Sequence, residues 1–213
     1  MARRGVFSWP CSTDLYTAAM PSKPQTLGLF PLPTVLLPGA ALDLRVFEPR
    51  YLDLVRDCGR EGSGFGICLL LADAGGESSA AAPAAWGTEA RIEDFGSGDD
   101  GLLTLRVRGC RRFRVQRTRV RSNGLVIGEI QWRELDADDE LRPEHALLGL
   151  LLERILDQAG GEHAGAAPAR FDDAAWVGWR LAELLPLGDL QRQQLLQEDD
   201  PHARLQLLLA WIP

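Results

Sequence analysis

The apolar residues of this 213-residue chain change their spacing once, and that change limits what it can fold into. From Leu27 to Trp132 they alternate or form short runs, as in "ALDLRVFE", "FGICLLLA" and "LLTLRVRG". Past "DADDELRP" (136–143) they recur every third or fourth residue, as Leu147, Leu148, Leu151, Leu152 and Ile155 do. Alternation lines one face of a strand, and a period of about 3.6 lines one face of a helix, so no segment satisfies both. The chain is therefore expected to be α+β, with strands over 26–135 and a helical bundle over 136–213. Residues 1–25 fit neither pattern. Ser8, Pro10, Ser12 and Asp14 break the apolar stretch a signal peptide would need, so a disordered tail is expected, with Met20 an alternative start.

Within the first part the punctuation is firm. "LGLFPLPTVLL" carries two prolines, which suits a sheet edge. Pro38-Gly39 reads as a turn. Leu42, Leu44 and Val46 then share one strand face, with Asp43 and Arg45 on the other. Glu48 precedes a helix that Pro49 can open, because its missing N–H is no loss at the first position. Tyr51, Leu52, Val55 and Cys58 fall on one helical face, and Gly59 is placed to stop it. "FGICLLLA" (65–72) predicts a buried strand and "DAGGESSAAAPAA" a long loop.

Trp86 to Phe95 resumes the strand pattern. "LLTLRVRG" and "CRRFRVQRTRV" read as paired strands around Gly109. In the second, Phe113 and Val115 have one parity and Thr118 and Val120 the other, which predicts a bulge near Gln116. Farther on, Asp172 or Asp173 can cap a helix carrying Trp176, Trp179 and Leu184. Pro186 ends it, and Gly188-Asp189 and Asp200-Pro201 open two more.

Chemistry is conspicuous by what the residues do not allow. The single lysine, Lys23, lies in the tail, so the folded part holds neither a Walker A loop nor a Ser–Lys dyad. No Gly-x-Ser-x-Gly elbow is present. His145, His163 and His202 are far apart, and nothing local supports a Ser-His-Asp triad. Asp99-Asp100 and Asp138-Asp139 read as solvated turn residues. Cys11, Cys58, Cys68 and Cys110 make no zinc spacing, so reduced, mostly buried thiols and a cytoplasmic setting are expected. No catalytic residue, cofactor or metal ligand is expected. No apolar run approaches the roughly 20 residues that span a bilayer, and the net charge of −7 argues against nucleic acid as a partner.

One cluster runs against that net charge: Arg106, Arg108, Arg111, Arg112, Arg114, Arg117, Arg119 and Arg121. One reading is an anion- or RNA-binding stripe, with Arg106, Arg108, Arg112 and Arg114 as its contacts. The other is a soluble strand face paired with carboxylates. No aromatic residue interleaves on the polar face in the sequence, which favours the second.

The stretch "LFPLPTVLLPGAALDLRVFEPRYLDLVRDC" (29–58) resembles the start of the N-terminal substrate-binding domain of Lon proteases. The likeness continues through "GTEARIEDF", "LRVRGCRRFRV" and "LLPLGDLQRQQLLQEDDPHARLQLLL", to about residue 212. It implies a PUA-like β-barrel with a short inserted helix, followed by a helical bundle. It also implies a stand-alone, non-catalytic module lacking the ATPase and peptidase parts. Such a module would bind unfolded or exposed hydrophobic polypeptide segments and serve in protein quality control, with an ATP-dependent protease as a partner. PUA-like barrels also hold RNA or small ligands, which is the alternative. In this frame Pro38, Gly39, Phe47, Glu48, Pro49, Arg50 and Tyr51 are expected to set a barrel corner. Binding would use apolar surface between barrel and bundle, or a free strand edge for which the proline-bearing first strand is the candidate.

Overall fold

A computed structural model describes residues 25–71, 82–136 and 139–212. They divide into two compact units, the first ending at Glu134 and the second beginning at Leu135. The expected tail and most of the loop after β3 lie outside the described residues.

The first unit is a six-stranded mixed sheet: β1 (Gln25–Leu32), β2 (Ala41–Val46), β3 (Phe65–Leu71), β4 (Ala82–Ser97), β5 (Leu103–Val120) and β6 (Val126–Trp132). Helix α1 (Pro49–Glu61) lies between β2 and β3. Strand order is β2-β5-β4-β3-β1-β6, and β6 pairs again with β5. β1 runs parallel to β3; every other pair is antiparallel. The first half of β5 lies on β4 and the second on β6, and the two overlap only at Phe113 and Arg114. The result is a coiled, partly open barrel with β2 as an outer flap. Inside it Leu29, Cys68, Phe113 and Ile130 pack together.

Helix α1 covers one face of this sheet. Tyr51, Leu54 and Cys58 are its buried residues. Tyr51 meets Phe30 edge to face at 4.0 Å, and a side chain at Gly28 would collide with Leu54. Glu48 caps the helix through its backbone carbonyl, accepting from Tyr51 and Leu52 N–H, and Pro49 opens it. The helix runs past Gly59. It stops where Gly62 turns left-handed (φ 64°), a conformation that a residue with a Cβ adopts at a cost and that Gly59 does not take.

Three other expectations change. The residues around Gly109 form one continuous 18-residue strand, not a hairpin. Gly109 is needed there because a methyl group would overlap the Leu37 carbonyl. Its backbone instead bonds the Pro-Gly turn, Gly39 N–H to Gly109 O at 2.7 Å and Gly109 N–H to Ala40 O at 2.9 Å. β1 is not an edge but lies between β3 and β6; Pro31 sits beyond the β6 pairing, which ends at Leu29, so no ladder bond is lost on that side. The end of the expected loop, from Ala82, is already strand β4. The predicted bulge is present, between Val115 and Arg117.

The second unit holds α2 (Ala146–Ala159), α3 (Ala174–Leu184), α4 (Asp189–Gln197) and α5 (Pro201–Trp211). Asp173 and Asp200 cap α3 and α5, accepting from Trp176 and His202 N–H. Helix α3 is buried over nearly its whole circumference, and its Ala and Gly positions let neighbours approach closely. Trp179 is buried, and Trp176 is half-buried against Phe171. No helix among the described residues is long and apolar enough to cross a membrane.

Candidate polypeptide-binding surface

The open strand edges lie around the first half of β5. β2 pairs with β5 alone. β3 reaches only as far as Ala90 on β4, so the stretch Arg91–Ser97 is bonded to β5 on one side and open on the other. The Phe95 N–H points to that open side, where the Asp94 carboxylate accepts it at 2.9 Å. Phe95 is 54% exposed, and Phe47, just past β2, is 65% exposed. Isolated exposed apolar groups are ordinary, but two phenylalanines beside unpaired edges combine main-chain bonding capacity with apolar contact.

Six of the seven corner residues are engaged within the barrel. Gly39 (φ 77°) makes the turn that bonds Gly109, preceded by Pro38. Arg50 pairs with Glu48 at 2.7 Å, reaches the Gly124 carbonyl at 3.3 Å and lies 4.7 Å over the Tyr51 ring. Burial raises the Tyr51 phenol and the nearby Arg50 charge opposes that shift. Phe47 is the exception, being solvent-facing.

The structure separates the arginines that sequence groups together. Arg106 pairs with Asp43 at 3.3 Å, and Arg108 grips Glu93 at 2.7 and 3.0 Å and the Gly39 carbonyl at 2.9 Å. Arg112 is buried. Arg111 bonds Glu89 and lies 3.9 Å over Trp132. Of the four alternative anion contacts only Arg114 is exposed without an ion pair among the described residues. Sequence reasoning missed that Trp86 stands in register with Arg114, which places an aromatic ring on the charged face. Only the pairing of distant strands reveals it.

Among the described residues no cluster of three His, Cys, Asp or Glu side chains could hold a metal. Cys58 and Cys68 are free and buried; burial pushes the Cys68 thiol up to about 12 and raises Cys58 as well. A crease lined by Phe30, Tyr51, Leu54 and Phe65 closes too tightly to admit a water molecule. His163 Nε2 accepts from Arg180 at 2.8 Å. The other two histidines meet within the helical unit, with Nδ1 to Nδ1 at 3.3 Å. Their rings are nearly parallel (19°) with centroids 5.4 Å apart. That separation is close to the nitrogen distance plus two ring radii, so they meet edge to edge. His202 Nε2 lies 3.1 Å from Asp139, and His145 Nε2 lies 3.5 Å from Gln206. No serine or cysteine joins this line among the described contacts.

The described residues thus form a partly open barrel with exposed strand edges, followed in sequence by a helical unit. The chain belongs to the family of the ATP-dependent protease La (LON) substrate-binding domain, whose model matches residues 26–212. It is similar to the crystal structure of a Lon N-terminal domain protein from Xanthomonas campestris, with 62% identity, a TM-score of 0.76, and coverage of 89% of this chain and 99% of that one. The N-terminal domain of Mycobacterium avium complex Lon protease shares the fold at 18% identity, with a TM-score of 0.63 and coverage of 88% and 97%. No curated protein matches the chain.

Proposed function

We propose that this protein is a non-catalytic polypeptide-binding module that takes extended, apolar segments of unfolded chains and serves as an adaptor in cytoplasmic protein quality control, in partnership with an ATP-dependent protease. Membership of a substrate-binding family supports the binding role. The observation that carries the mechanism is the unpaired Arg91–Ser97 edge of β4, with the Phe95 ring exposed on it. A client strand laid there would replace the Asp94 carboxylate at the Phe95 N–H with its own carbonyl and set an apolar side chain against the ring.

Fluorescence anisotropy with an unfolded apolar peptide tests this. Phe95→Ser should weaken binding by about tenfold, and a peptide N-methylated at alternate residues should lose binding to the unaltered protein. Equal affinity of the methylated peptide would rule out strand addition, and absence of any peptide binding would rule out the function.

A further inference from the structure

We infer that the outward face of β5 beyond Arg112 selects client segments bearing carboxylates beside their apolar residues, an inference that rests on the polypeptide-binding reading and names its substrate class. The bulge at Gln116 creates this face. Before it, Arg114 is in register with Gln131; after it, Arg117 and Arg119 are in register with Glu129 and Ile127. Without the extra residue, Arg117 and Arg119 would turn to the side of Val115 and Ile130. The bulge puts all three guanidiniums on one side, a strand repeat of about 7 Å apart. An extended partner with carboxylates at alternate positions has the same repeat.

All three are exposed, and none makes an ion pair among the described residues. Elsewhere in the barrel ion pairing is the commoner state, with exposed Arg60 an exception. Arg45, Arg50, Arg91, Arg106, Arg108 and Arg121 all have carboxylate partners. Acidic residues outnumber basic ones by 30 to 23, so carboxylates are not scarce. Those at the end of the β5–β6 hairpin are already engaged: Asp57 with Arg121, and Asp53 with Arg56 and Asn123. Glu129 faces Arg117 in register without pairing to it.

Beside this row, Trp86 is in register with Arg114, and the Arg133 guanidinium lies 5.4 Å from its ring centre. The face therefore offers forks for carboxylates and one aromatic plane for an apolar neighbour. A single aromatic and an intervening glutamate suit a short acidic peptide better than a nucleic-acid strand, which calls for successive stacking rings and a continuous cationic track.

The test uses the whole protein and two unstructured peptides with one apolar core, flanked by Glu or by Lys. At low salt the Glu-flanked peptide should bind about tenfold more tightly, and the difference should collapse near 1 M salt, where charges are screened within a few ångströms. The triple change Arg114→Gln, Arg117→Gln, Arg119→Gln should abolish the preference, and the corresponding Glu variant should reverse it. Equal binding of the two peptides, or a preference that survives the triple change, would overturn the inference while leaving the proposed function standing. Failure of both peptides to bind would remove both. Tighter, salt-sensitive binding of single-stranded RNA, lost in the same variants, would assign the face to nucleic acid instead.

Discussion

The two units differ in how much charge they bury. In the barrel, alternation sends most arginines and carboxylates outward, where they pair at half-exposed or exposed positions, as Arg106 does with Asp43 and Arg45 with Asp100; Glu89 and Arg112 are the buried exceptions. The inside is apolar around Leu29 and Phe113. The helical unit buries its charge. Arg204 is 0% exposed, bonded to both Asp136 oxygens at 3.0 and 3.2 Å, while its guanidinium lies 3.5 Å over Trp179. Trp179 donates to the same carboxylate at 2.6 Å. Arg180, His145 and His202 are buried too. A strand has a wet face to which most of its charges can be assigned. In a small unit of short helices, α3 is enclosed nearly all round, so its polar groups must find partners inside. Surface pairs are weak and replaceable; a buried pair is costly to break because the survivor stays desolvated.

The largest expected effect is therefore Asp136→Ala. It removes the carboxylate that Arg204 and the Trp179 N–H share, and should destabilise the helical unit by about 3–5 kcal/mol. Hydrogen exchange over α3 and α5 would report it, with the barrel strands unchanged; equal loss of protection in both units would break the contrast. Next is Gly109→Ala, where the added methyl meets the Leu37 carbonyl. Here the barrel should lose about 1–3 kcal/mol in denaturant titration, showing that the apolar unit is vulnerable to shape where the helical one is vulnerable to charge.

The smallest effect is Asp43→Ala, which removes an exposed partner of Arg106. It should cost about 0–1 kcal/mol in thermal unfolding of the barrel. Cys68, buried and with its thiol held protonated, gives a direct readout of that unfolding: it should resist alkylation until the barrel opens.

Local signals carried much of this architecture. The parity change between Val115 and Thr118 announced the bulge, Pro49 announced α1, and Asp173 and Asp200 announced two helix starts. Each is decided by atoms within a few residues. Glycine was less readable, because Gly59 was expected to stop α1 where Gly62 does and Gly109 looks like a turn. What distinguishes them is a backbone angle in one case and the approach of the 37–40 segment in the other. The candidate edge was misplaced for the same kind of reason. Two prolines mark β1 as unable to donate at certain points, yet they do not say that its neighbours avoid those points.

Alternation and helical spacing settled on their own where strand gives way to helix and most of the inward strand positions, since both depend on bond geometry repeated along the chain; the helix faces were less well read, for Leu54 rather than Leu52 or Val55 is buried in α1 and Leu147 is exposed. Tertiary structure alone decided that Asp136 meets Arg204, that two histidines 57 residues apart meet, and that Trp86 stands beside Arg114. Those contacts join distant segments, and their energy exists only once the intervening chain has closed around them.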